Sequence, residues 1–158
     1  VNIAQVIREA VLAASTRPAR PDVTCKLDLP ADLPPVCADR IGLYRAISIL
    51  LTNASLCSRP DSEITVLAGR IPAAPNYVQL SVSDTGGGIA AQDYARVFDY
   101  SRRIESPVNG LGDAGAGLFT AQVIIEAHGG RLWLDSTMGV GSTFTILLPV
   151  WQENGGTP

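Results

Sequence analysis

One lysine in 158 residues is the most informative scarcity of this chain: of twelve basic residues eleven are arginines, and Lys26 is the exception. A P-loop needs Gly-Lys-Ser/Thr, and a eukaryotic-type protein kinase needs a strand lysine on the phosphates. Lys26 stands in "TCKLD" and fits neither context, so both families are excluded. Histidine is equally scarce, with His128 alone, and Cys25, Cys37 and Cys57 form no C-x-x-C pair. A zinc site is therefore not expected, and the odd, dispersed thiols read as reduced, core or half-buried residues of a cytoplasmic protein. Positive charge is short too. A net charge of −3 leaves no broad basic surface for nucleic acid or anionic lipid. Long apolar runs are missing as well: the uncharged, Leu- and Ile-rich "AISILLTNASLCS" is too short to span a bilayer.

What is present reads as globular, with 46% hydrophobic and 17% charged residues. The length suits one domain over 1–158 that buries roughly two thirds of its unfolded surface. "VNIAQVIREAVLAAS" carries Arg8 and Glu9 within its apolar run, so it is an amphipathic helix and not a signal peptide. The chain begins inside that helix, as a domain excised from a longer protein would. The helix ends near "TRPARP", and "VTCKLDL" (Val23 to Leu29) alternates as a strand. Asp39 is the N-cap of a second helix running to about Cys57. Ile41, Leu43, Ile47, Ile49, Leu50, Leu51 and Leu56 make it apolar nearly all round, which predicts deep burial.

"SEITVLAGR" and "NYVQLSVSD" are two strands joined through "IPAAP", an expected antiparallel pair. "AQDYARVF" is a short helix. Asp99 to Ala114 is polar, Gly-rich and aperiodic, a loop of a length that is usually functional. "GAGLFTAQVIIEAHGG" is a helix stopped by Gly-Gly, and "RLWLDS" and "STFTILLPV" are strands about a turn at Met138 to Gly141. The expected fold is α+β: a two-layer sandwich with helices on one face of a mixed, mostly antiparallel sheet.

Three places carry chemistry. In "VQLSVSDTGGGIAAQD" a strand ends at Asp84 and three glycines follow. An ionised carboxylate only accepts hydrogen bonds, so it selects a donor at the position it faces; adenine presents its exocyclic 6-amino group there, whereas guanine presents an acceptor oxygen. The glycines would let a planar base approach the backbone, although Asp-x-Gly-x-Gly is also ordinary turn chemistry. Asn53 lies mid-helix among apolar residues, where its amide needs either a core backbone partner or a hard cation such as magnesium. Gly115, Ala116, Gly117 and Leu118 open a helix whose free N–H groups suit an anion, or simply a tight junction. With no suitable lysine, a triphosphate would rely on backbone amides, a metal, and Arg102 or Arg103. Gly110 to Gly115 also fits G-x-G-x-x-G with Asp135 as ribose acid, but the polar "SRRIESPVN" replaces the strand that a dinucleotide fold requires there.

In this order the motifs resemble the ATP-binding catalytic domain of sensor histidine kinases, in the superfamily shared with gyrase, Hsp90 and the mismatch-repair ATPases. "ILLTNAS" resembles the N box, which implies a metal-binding role for Asn53, and "DTGGGI" resembles the first glycine box, which places Asp84, Gly86, Gly88 and Ile89 at the adenine. "RVFDY" is similar to the phenylalanine box at Phe98, and "GAGLFTAQVIIEAHGG" to the second glycine box. "STMGVGSTFTILLP" resembles the closing hairpin, with Thr143 or Ser142 near the adenine. The resemblance implies ATP and Mg2+ as cofactors, a lid over Asp99 to Ala114, and Cys57 at the nucleotide. It implies phosphoryl transfer to a histidine on a separate helical dimerisation domain, a response-regulator receiver as downstream partner, and no direct membrane contact by this domain. His128 then reads as structural. The chain departs from the family at Ile49, Leu56 and Cys57, where polar, basic and aromatic residues are usual, and at Asp113-Ala114. Those departures keep open a second reading, a degenerate nucleotide-sensing module without transfer; NAD-type binding is a third.

Overall fold

A computed structural model describes residues 1–16, 18, 20–98 and 115–153. The elements are α1 (Ile3–Thr16), β1 (Thr24–Asp28), α2 (Arg40–Cys57), β2 (Glu63–Ile71), β3 (Ala74–Asp84), a 3-10 turn (Ala91–Asp93), α3 (Tyr94–Val97), α4 (Gly115–Ala127), β4 (Arg131–Thr137) and β5 (Gly141–Pro149). The five strands form one sheet in the order β1-β2-β3-β5-β4. β1 runs parallel to β2, and the other neighbours are antiparallel. The expected α+β sandwich is the fold observed.

Periodicity explains the layers. On β3 and β5, Val78, Leu80, Val82, Phe144, Ile146 and Leu148 alternate with more exposed residues and are buried under the helices. On α1, Ile3, Val6, Ile7 and Ala10 recur every three or four residues and meet α2. The α2 N-cap is Asp39, whose carboxylate accepts from the Gly42 N–H at 2.6 Å. Burial along α2 is less complete than its composition suggests. Leu43, Ile47, Leu50 and Leu51 are buried, but Ile41 is 78% exposed and Leu56 38%. A helix packed between α1 and α4 on a sheet still shows solvent a narrow stripe, whatever residues occupy it.

The β2–β3 connection is shorter than "IPAAP" implies: Ile71 pairs with Ala74, with a register shift at Arg70/Ile71, so only Pro72 and Ala73 turn the chain. A bulge accommodates Pro75, which has no N–H for a ladder. "AQDYARVF" divides into the 3-10 turn and the single helical turn α3. At the end of α4 the Gly130 N–H donates to Ile125 O at 3.0 Å and the Gly129 N–H to Glu126 O at 3.0 Å, the paired bonds of a Schellman stop. That stop turns the chain back into β4 and so fixes where α4 lies over the sheet.

Candidate functional site

Asp84 ends β3 on the helix-covered face, in step with Val78, Leu80 and Val82, and is 6% exposed. Its Oδ1 accepts from the Gly86 N–H at 2.8 Å. Burial raises the carboxyl pKa above its ordinary value, and backbone N–H bonds from Gly86 and Ser142 oppose that rise. Desolvation wins. A buried carboxylate with a raised pKa gains from a ligand that brings a donor, because the donor restores what water would have supplied.

The end of α2 forms the opposite wall. A Cβ on Gly86 would lie 2.0 Å from the Cys57 carbonyl oxygen and 3.0 Å from Asp84 Oδ1. Cys57 sits one helical turn beyond Asn53, so the contact brings the N-box turn to the carboxylate. Asn53 is 1% exposed, and its Nδ2 donates to Ile49 O at 2.8 Å. That bond orients the amide. Where Gly117 begins to carry α4 across α2, its absent Cβ leaves room for Ile49 Cγ2, which such a Cβ would meet at 3.2 Å. Ile49, a departure from the family pattern, is thus the surface on which the second glycine box rests. Leu118 beside it is fully buried.

Packing gives the triple glycine a task inside the fold beside the expected one at a ligand. Gly86 yields its space to Cys57 O, and Gly88, at φ +78°, would push a Cβ to 2.3 Å from Thr137 O. Only at Gly87 would a Cβ meet nothing within 4 Å among the described residues. The loop is docked on the β4–β5 hairpin through the Gly139 N–H donating to Gly87 O at 2.8 Å, and the Ile89 N–H donating to Ser136 Oγ at 2.7 Å. Of the two hydroxyls expected near the adenine, Thr143 and Ser142, the register separates the faces. Thr143 pairs with Ser83 across the sheet, and their hydroxyls lie 2.8 Å apart. Both face away from Asp84, because side chains alternate along a strand. Ser142, opposite Asp84 in the register and 6% exposed, is the hydroxyl on the site's face.

Phe98 meets Phe144 edge to face with centroids 6.1 Å apart, so the chain before residue 99 is anchored on the wall that carries Ser142. Arg102, Arg103 and the expected lid lie outside the described residues. Gly115 and Ala116 occupy the first turn of α4, at whose start backbone N–H groups have no intrahelical partner. His128 stays structural in kind: its Nδ1 lies 2.6 Å from Ile124 O, and its ring abuts Gly42. From Gly42 to Asn53 is about 16 Å along the α2 axis. Ser136 and Tyr94 escaped the sequence reading altogether; a serine in "RLWLDST" and a tyrosine in "AQDYARVF" carry no local signal.

The donor set suits magnesium better than a transition metal. Among the described residues no three His, Cys, Asp or Glu side chains cluster to hold an ion. A single amide oxygen would suit a small hard cation that takes its other oxygen ligands from substrate phosphates and water. No helix among the described residues is long and apolar enough to cross a membrane.

A family model described as histidine kinase-, DNA gyrase B-, and HSP90-like ATPase matches residues 38–152. The chain is 34% identical over 155 residues to the adaptive-response sensory kinase SasA of Synechococcus sp. (strain CC9311), covering 98% of this chain and 40% of that kinase. It spans about two fifths of the length of the curated relatives it matches. The mycobacterial sensor histidine kinase MprB superposes with a TM-score of 0.76 at 28% identity, over 95% of each chain. Full-length ShkA in complex with AMPPNP gives a TM-score of 0.77 at 24% identity, over 96% of this chain and 31% of that one, a likeness of fold.

Proposed function

Because the chain belongs to the histidine kinase-, DNA gyrase B- and HSP90-like ATPase family, homologous to sensor histidine kinase catalytic domains, we propose that it binds Mg-ATP for transfer of the γ-phosphate. The acceptor is a histidine on a separate helical dimerisation domain, and a response-regulator receiver takes the phosphate onward. The observation that carries this reading is the contact between the Cys57 carbonyl and Gly86, which sets the Asn53 turn of α2 beside the buried Asp84.

Each residue then has a task. Asp84 accepts from the exocyclic amine of adenine and thereby orients the base. The first turn of α4 directs N–H groups and the positive end of its dipole toward the phosphates. Asn53 Oδ1 would hold the magnesium ion, which when bound supplies charge neutralisation across the phosphate chain. Phosphoryl transfer depends mainly on such positioning and neutralisation, so a site of amides and few charged side chains suffices. Arg102 and Arg103 are proposed to approach the phosphates from the lid.

Calorimetry with ATP, in magnesium and in EDTA, tests the reading. Wild type should bind with clear magnesium dependence. Asn53→Leu should lose that dependence and keep the fold, since leucine suits the apolar setting. Unchanged magnesium dependence in the variant would remove Asn53 from the metal. Leu56, 38% exposed where the family usually has a basic residue, favours a second reading, a nucleotide sensor that binds without transfer.

A further inference from the structure

Ser136, near the end of β4, has a hydrogen-bond pattern with only one consistent proton arrangement. Its Oγ lies 2.7 Å from the Ile89 nitrogen, 3.0 Å from Gly141 O and 2.7 Å from Ser142 Oγ. A backbone N–H only donates and a carbonyl only accepts, whereas a serine hydroxyl has one hydrogen to give. All three contacts are hydrogen bonds only if Ser136 gives its hydrogen to Gly141 O. Ser142 must then donate to Ser136 Oγ, which accepts from Ile89 as well. The hydrogen of Ser142 is thus committed to Ser136, and toward the site Ser142 can offer only lone pairs.

Tyr94 holds this arrangement in place. Its phenol donates to Ser136 O at 2.5 Å and accepts from the Ser136 N–H at 2.7 Å. The two bonds reproduce what a further strand would offer the edge of β4, so the Ser136 backbone has one position. Ser142 in turn stands opposite Asp84 on the same face of the sheet, both 6% exposed. Cβ atoms of such a pair are about 4.5–5.5 Å apart.

We propose that Ser136 is a specificity-positioning residue: by taking the Ser142 hydrogen, it makes Asp84 and Ser142 a pair of acceptors that admits a purine with a 6-amino group and rejects one with a 6-carbonyl. A serine free to rotate would turn its hydrogen toward a carbonyl and soften the rejection. The inference rests on ATP being the ligand, as proposed above, and concerns selectivity within that site. Ser136 touches no ligand itself in this account and acts through Ser142.

The test is the ratio of dissociation constants for ITP and ATP, measured by calorimetry on the full chain. Wild type should prefer ATP strongly. Ser136→Ala should weaken ATP only a few-fold but shrink the ITP/ATP ratio about tenfold, because a freed hydroxyl can serve either base. Ser136→Thr, which keeps the hydroxyl, should restore the ratio. A merely structural serine would weaken both nucleotides in proportion, and an unchanged ratio in Ser136→Ala overturns the inference while the ATP-binding reading stands. If a melting scan shows Ser136→Ala unfolded, Ser142→Ala decides, since it removes the second acceptor and leaves Ser136 on Ile89; an unchanged ratio there overturns the inference equally. Wild type that binds neither nucleotide defeats the functional reading itself, and this proposal with it.

Discussion

In the proposed function Asp84 recognises the base, and its burial has a cost in stability. Its carboxyl is raised by burial, so the folded state holds its proton to higher pH than the unfolded chain does, near pH 4. Below that range both states are protonated and the residue imposes no penalty. As pH rises from the unfolded value toward the raised folded one, the unfolded chain releases its proton first and stability falls. Asp84→Asn escapes this, since its amide oxygen can still accept from the Gly86 N–H. The expected result is a variant that melts a few degrees above wild type at pH 7 in the absence of ligand, with the difference fading toward pH 4. ATP affinity should fall at least tenfold in the same variant, because the amide can turn a donor toward adenine's amine. Wild-type affinity should also decline on acidification at a higher pH than an ordinary carboxylate would dictate. Thermal scans against pH, paired with calorimetry, check both signs. At Cys25 burial has a simpler effect: its thiol is pushed up to about 11, so it is not a nucleophile near neutral pH.

The turn after β3 separates two meanings of glycine. At Gly86 the chain passes so close to the end of α2 that a methyl group would overlap Cys57 O at 2.0 Å. At Gly87 a Cβ would meet nothing within 4 Å among the described residues. Gly86→Ala should therefore destabilise by ~2 kcal/mol or more, as forced overpacking against backbone does. Gly87→Ala should change stability by no more than about 0.5 kcal/mol, the range of an unconstrained surface site. Urea titrations of the pair give both numbers. Equal effects would show that the Cys57–Gly86 contact does not join α2 to the loop. A neighbouring junction is secured differently: Arg20 donates to Ser55 O at 3.3 Å and to Ser58 O, and so closes the end of α2 with a cation where the helix dipole favours one. The same guanidinium holds the Asp22 carboxyl below its ordinary range, first through their hydrogen bond.

Across the whole molecule, the proposed site draws Asn53 from α2, Asp84 from β3, Ser142 from β5 and Gly117 from α4, four separate stretches of the chain. His128 lies at the far end of α2, so the chain by itself should acquire no phosphate from labelled ATP. Joined to helices that carry an acceptor histidine, it should label them, and absence of label despite ATP binding would favour the sensor reading. Much of this was legible beforehand. Strand alternation, the Asp39 cap and the Gly-Gly stop are local signals, and Asp84 and Asn53 stood out because a polar group in an apolar run needs a partner. Other features were not legible. "GST" offers two adjacent hydroxyls, and only the pairing of Asp84 with Ser142 decides that Thr143 belongs to the other face. Ser136 and Tyr94 acquire their roles from residues about forty positions apart. The sequence by itself therefore determined the order and kind of the elements, together with the acid and the amide, since periodicity and propensity act over a few residues. Tertiary structure alone decided which face each hydroxyl takes, which atoms the glycines make way for, and where each proton lies, because those depend on register and on neighbours that the chain brings back from a distance.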